Sequence, residues 1–129
     1  MTRTADVVIV GGGCMGASVA FHLARRGVTN VVLVEREQLL GTGSTGRNAG
    51  GVRHQFSHDA NIRLSIESIG VLERFKEEVG ADIDFHQDGY LFLLSSPASV
   101  EVFTANVERQ RRLGIAVDWL DADAACLLY

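Results

Sequence analysis

The chain has 129 residues, a formal charge of −4 and 47% hydrophobic residues, the profile of a globular α/β protein with one modest core. The mild acidity leaves no basic footprint for nucleic acid, and the apolar start at Val7 to Val10 is too short to span a bilayer. Its two cysteines, Cys14 and Cys126, show neither C-x-x-C nor metal-ligand spacing, so no metal site is expected and a reducing cytoplasm is the simplest setting.

Ala5 to Val10 reads as a buried parallel strand. Gly11-Gly12-Gly13-Cys14-Met15-Gly16 follows and fits G-x-G-x-x-G. Ala17 to Arg26 reads as a helix, Val31 to Val34 as a second strand, and Glu35 closes that strand. These are the parts of a dinucleotide-binding βαβ unit in their proper order. Gly11 permits the tight turn, Gly13 lets backbone approach a pyrophosphate, and Gly16 lets the helix pack on the strand. The helix N-terminus offers unpaired N–H groups to phosphate, and Cys14 and Met15 lie in that turn. Glu35 stands about 20 residues beyond the turn, where an acid accepts ribose hydroxyls and repels a 2′-phosphate. Arg36 sits beside it. The bland alternative is a glycine-rich turn in an unrelated α/β domain, which leaves the order of all these parts to chance.

Gly41 to Gly51 is dense in small residues, Gly-Thr-Gly-Ser-Thr-Gly-Arg-Asn-Ala-Gly-Gly, and such a stretch is costly in regular structure. A flexible linker is one reading. A second basic and aromatic group, Val52-Arg53-His54-Gln55-Phe56, follows at once. Asn61 to Gly80 carries Ile62, Ile66, Ile69, Leu72, Phe75 and Val79 on one helical face. Ser57 is placed to cap that helix, Asp59 to complement its dipole and Gly80 to stop it. Gly89 to Leu94 reads as a strand. Ser96-Pro97 opens another helix to about Leu113, with Gly114 as its stop. Val117 to Leu120 is extended, and Asp121 caps a last helix, Ala122 to Leu128, with Cys126 on its apolar face.

A nicotinamide-binding domain is expected to continue with another helix and strand soon after Glu35. The small-residue segment stands there instead. It can run along a pyrophosphate toward a bulky ring system, with backbone N–H groups and the hydroxyls of Ser44 and Thr45 as donors. FAD is therefore favoured over NAD.

Gly43 to Phe56 and Asp88 to Leu94, together with the glycine turn and Glu35, resemble the FAD-dependent amine and amino-acid oxidoreductases. This is the D-amino-acid oxidase-like superfamily, in its branch of sarcosine oxidase β subunits and dye-linked L-proline dehydrogenase β subunits. The resemblance covers essentially the whole chain. It implies the N-terminal βαβ of a Rossmann-like FAD-binding domain over residues 1–80, followed from 81 to 129 by the start of an α+β substrate domain. In such enzymes a C–N bond of an amino acid or secondary amine is oxidised to an imine, which water hydrolyses.

Carried over by position, Gly11, Gly13 and Gly16 serve the pyrophosphate and Glu35 the ribose. Ser44 and Thr45 meet the phosphate or ribitol, and Gly50 and Gly51 bring backbone to the isoalloxazine. Arg53 matches an arginine near flavin and substrate carboxylate, for which its bidentate fork is apt, the alternative being a pairing with an acid of the protein. His54 beside it is a candidate to orient substrate or take a proton, the alternative being a histidine that simply completes a hydrogen-bond network. Relatives acting on dimethylglycine or sarcosine as dehydrogenases bear a histidine in this loop that links covalently to FAD. The matching position here is Arg47, so FAD is expected to be held non-covalently, with Arg47 neutralising phosphate or flavin charge. A partner subunit or homo-oligomer is expected. The 129-residue piece by itself is expected to be inactive and to bind FAD weakly. Two other readings stay open: a non-catalytic dinucleotide-binding or docking module, and an NAD-dependent dehydrogenase domain.

Overall fold

The computed structural model describes residues 4–128. The chain divides into two compact units, one ending at Gly51 and the other beginning at Val52.

In the first unit, strand β1 (Val7–Val10) pairs in parallel with β2 (Val31–Val34), Val7 opposite Val31 and Val10 opposite Val34. Both strands are almost pure β-branched sequence, which suits an extended backbone. Helix α1 (Cys14–Arg25) is the crossover between them. It starts three residues earlier than the sequence suggests, because Gly13 takes the extended capping conformation and places Gly16 in the first turn. At the other end Gly27 adopts φ 79°, and its N–H and that of Val28 satisfy the carbonyls of Ala24 and Leu23. Arg25 and His22 place basic groups at this end of the dipole. Ala5 and Asp6 fall outside β1.

The expectation of a buried strand needs correction. Ile9 is buried, but Val8 and Val10 are exposed, as are Val32 and Val34. A two-stranded sheet has one face on α1 and the other bare, and alternate residues divide between the two faces.

The glycine-dense segment is not a linker throughout. It folds as α2 (Ser44–Arg47), entered through Gly43 and left at Asn48. Gly46 is needed there, since a Cβ would lie 2.6 Å from the carbonyl oxygen of Gly41.

In the second unit, the single helix expected over Asn61 to Gly80 is two: α3 (Asp59–Glu73) and α4 (Phe75–Val79). Arg74 departs from helical angles at the break, and its Nε reaches across to Glu78 at 3.0 Å. Ser57 does not cap α3. His58 holds that position without a side-chain bond, so the dipole is met by Asp59 alone. Gly80 ends α4 in the left-handed region, as expected. Ile62, Ser65 and Ile69 of α3 are buried with Val107 and Ile115, and Ile62 is fully enclosed.

Gly89 to Leu94 forms no strand. An alternating pattern alone does not make a strand: a ladder needs a second backbone, and none pairs with this segment among the described residues. Helix α5 (Pro97–Arg112) follows. Ser96 Oγ accepts from Ser99 N at 3.2 Å, Pro97 occupies its start and Gly114 lies beyond its end at φ 87°. Helix α6 (Ala122–Cys126) is shorter than expected, and Asp121 Oδ1 caps it through Ala124 N at 2.8 Å. Cys126 is exposed and does not join a core.

Candidate dinucleotide site

The turn between β1 and α1 works as its glycines imply. Gly11 has φ 101°, a conformation that side chains disfavour. A Cβ on Gly16 would overlap the carbonyl oxygen of Gly11, so the close helix–strand approach requires glycine. At Gly13 a Cβ would lie 2.9 Å from Thr45 Oγ1. Gly12 is the surprise. Its Cβ would overlap Leu40 Cδ2 and crowd Glu35 Oε2 at 3.3 Å. The motif leaves that position free, and only the folded loop shows why glycine stands there.

Glu35 is tied to this turn. Its Oε2 accepts from Gly12 N at 2.7 Å, and its Oε1 accepts from Arg36 N at 2.7 Å and Glu37 N at 3.1 Å. The N–H groups of Glu37, Gly12 and Arg36 hold its carboxyl below the ordinary 4.5. A carboxylate offers about four acceptor positions, so three backbone donors leave room for about one more. With one donor on Oε2 and two on Oε1, the remaining acceptor position is on Oε2.

The second glycine segment docks on the first. Gly41 N donates to Gly12 O at 3.0 Å, and Thr45 Oγ1 accepts from Cys14 N at 2.9 Å. Cys14 N–H is thus already engaged. The N–H groups of Met15 and Gly16 have no acceptor among the described residues and stay open at the positive end of α1. The Met15 side chain is exposed, as is Cys14. These observations fit a pyrophosphate at the helix start and an adenosine ribose at Glu35.

The other expected cofactor residues lie farther along. Ser44 opens α2 and Arg47 ends it, both exposed. Gly50 takes φ 75° and donates to Asn48 Oδ1 at 2.6 Å, and Gly51 is exposed beside it. The Arg36 guanidinium turns away to Glu37, Nε to Oε1 at 3.0 Å. Its backbone N–H, rather than its charge, contacts Glu35. No group of His, Cys, Asp and Glu among the described residues is arranged to hold a metal.

Arg53 and His54 belong to the second unit. The Arg53 guanidinium carbon lies 5.2 Å from the ring centre of Phe56, 5.2 Å from that of Phe92 and 5.9 Å from that of Tyr90. No carboxylate pairs with it among the described residues. His54 is half-buried and its carbonyl accepts from Phe56 N at 2.8 Å. Three side chains anchor this segment: Gln55 Nε2 to Tyr90 O at 3.0 Å, Gln110 Nε2 to Phe56 O at 3.0 Å, and Arg109 to Ser57 O. Arg109 also pairs with Asp59 at 3.3 Å. No local sequence signal marks Arg109 or Gln110.

A family model described as FAD dependent oxidoreductase matches residues 6–128. The chain belongs to this family of enzymes. The chain is 42% identical over 123 residues to FAD-dependent oxidoreductase domain-containing protein 1 of Xenopus laevis, covering 88% of this chain and 24% of that protein. It is 34% identical over 119 residues to sarcosine oxidase subunit beta of Arthrobacter sp, covering 92% of this chain and 29% of that protein. The crystal structure of L-proline dehydrogenase from P. horikoshii superposes with a TM-score of 0.78 at 36% identity, covering 89% of this chain and 30% of that one. The chain thus spans about a quarter to a third of the length of these relatives. The resemblance drawn from the motifs holds, and the nicotinamide alternative finds no support among them. Among the described residues no helix is long and apolar enough to cross a membrane.

Proposed function

We propose that this chain is the N-terminal FAD-holding part of an oxidoreductase that oxidises the C–N bond of an amino acid or secondary amine to an imine. Sarcosine and proline are the substrates to try first, because two relatives carry them in their names. The observation that carries the reading is the docking of two glycine segments around Glu35 and the open N–H groups of Met15 and Gly16. That arrangement suits an adenosine pyrophosphate, and the family is FAD-dependent.

In this reading residues 1–80 belong to a Rossmann-like FAD-binding domain and 81–129 begin the substrate domain. FAD, when bound, supplies the two-electron oxidation of the C–N bond. Gly11, Gly13 and Gly16 shape the phosphate turn, and the free lone pair of Glu35 accepts a ribose hydroxyl. Ser44, Thr45 and Arg47 face the phosphate or ribitol, and Gly50 and Gly51 the ring system. Arg53 binds the substrate carboxylate and His54 orients the amine. FAD is held without a covalent bond. A partner subunit is proposed by analogy with the sarcosine oxidase subunit, and the compartment proposed is the cytoplasm, where two free cysteines suit reducing conditions.

The test is anaerobic addition of L-proline or sarcosine to the intact FAD-loaded protein. Bleaching of the flavin absorbance by either is the expected result. A flavin that neither reduces, but that NADH reduces rapidly, overturns the substrate assignment.

A further inference from the structure

Arg53 is a cation with three aromatic rings around it and no carboxylate beside it among the described residues. We propose that Tyr90 and Phe92, with Phe56, are positioning residues that hold the Arg53 guanidinium in a fixed orientation for a carboxylate ligand. This rests on the reading that Arg53 meets the substrate carboxylate, and deepens it by saying what aims the arginine.

A free arginine has many rotamers, and ordering it costs entropy that a ligand would otherwise have to offset. Ring faces attract the guanidinium through their quadrupoles and pack against its plane. They accept no N–H hydrogen bond of ordinary strength. The five donors of the fork therefore stay available for an oxygen pair, while the charge is steadied. A carboxylate counter-ion would steady Arg53 equally well but would consume that fork. The rings also exclude water from one side, which strengthens an ion pair formed there.

The cage is itself held in place. Tyr90 and Phe92 alternate along an extended segment, with ring centres 5.9 Å apart. Phe92 is backed by Phe103 of α5 at 5.4 Å. Gln55 binds the Tyr90 carbonyl, which ties that segment to the one bearing Arg53. Gln110 binds the carbonyl of Phe56, the third ring. The alternation in Gly89 to Leu94 thus serves to set two rings against one cation, without any strand ladder.

The test uses the intact FAD-loaded protein and a matched pair of amines, L-proline and pyrrolidine, which differ by the carboxylate. Tyr90→Leu and Phe92→Leu are each expected to lower the ratio of kcat/KM for L-proline over pyrrolidine by about tenfold, through KM rather than kcat. Tyr90→Phe, which keeps the ring, is expected to retain the ratio. Arg53→Met separates the two claims. If it erases the ratio while the leucine variants keep it, the positioning inference is overturned and the carboxylate reading stands. If Arg53→Met leaves the ratio intact, the carboxylate reading falls and the inference with it.

Should neither amine be oxidised, arginine-selective NMR with sodium acetate decides. Acetate is expected to shift the Arg53 side-chain resonance in the parent protein and to do so several-fold more weakly in Phe92→Leu. An equal response in both, or none in the parent, overturns the inference.

Discussion

Thr45 Oγ1 accepts a hydrogen bond from Cys14 N at 2.9 Å, so a hydroxyl from the second glycine segment caps the first turn of α1. The two residues are 31 positions apart. This bond makes the two glycine segments one site. Thr45→Val keeps the side-chain volume and removes the acceptor. It is expected to cost about 1 kcal/mol, or about fivefold in an equilibrium, read as a lower denaturation midpoint and weaker FAD binding. Thr45→Ser is expected to keep both. Equal losses from valine and serine would show that the hydroxyl is not what docks the segment.

Gly13 and Thr45 should be coupled. A Cβ at Gly13 meets Thr45 Oγ1 at 2.9 Å, so Gly13→Ala is expected to displace the hydroxyl and destabilise the turn. In a Thr45→Ala background the same change should cost less. A double-mutant cycle on denaturation midpoints is expected to give a coupling of about 0.5–1 kcal/mol. Strict additivity would contradict the contact.

Gly16→Ala has no such escape, because its Cβ would overlap a backbone carbonyl rather than a movable side chain. A loss of about 1–3 kcal/mol or more is expected. Thermal unfolding measures it, and an unchanged midpoint would mean that helix and strand do not approach as described.

The Glu35 carboxyl carries a pH signature. Its folded value lies below the ordinary 4.5, chiefly through the N–H groups of Glu37, Gly12 and Arg36. A depressed acid adds stability that is fully present above the unfolded value and is lost as pH falls through the folded one. Acid titration of stability is therefore expected to show a loss beginning near 4.5 and continuing below it. Glu35→Gln is expected to flatten that part of the curve and to weaken FAD binding. A curve of the same shape in both proteins would place the acid sensitivity elsewhere.

Much of the fold was legible where the cause is local. Ser96, Pro97 and Gly114 mark the ends of α5 within a turn of each end, and Asp121 marks the start of α6. Gly11 and Gly16 are legible because a left-handed turn and a contact five residues back are local causes, whereas Gly12 and Gly13 answer to Leu40, Glu35 and Thr45 much farther along. Gly89 to Leu94 was not, because alternation makes a chain extended while only a second backbone makes it a strand. The break at Arg74 was missed for a related reason, since the apolar face runs on through Phe75 and Val79 across both helices. The Thr45–Cys14 bond and the rings around Arg53 join residues far apart in the chain, where periodicity carries no information.

Arg47 ends α2 at an exposed position, and a guanidinium is not a nucleophile that would bond to a flavin, in keeping with the proposal that FAD is held non-covalently. Acid precipitation of the intact protein is therefore expected to release FAD into the supernatant. A yellow pellet that resists extraction would show a covalent bond and overturn the expectation.

We propose that the glycine turn, Glu35 and the docked Thr45 segment together hold FAD. The most direct measurement is the visible absorbance spectrum of the purified intact protein, before and after adding FAD, beside that of Gly13→Ala. Flavin bands equal to one FAD per chain are expected in the parent protein, with a clear loss in the variant. A colourless parent that takes up no added FAD, or a variant that binds it equally well, would show that these segments do not hold the cofactor.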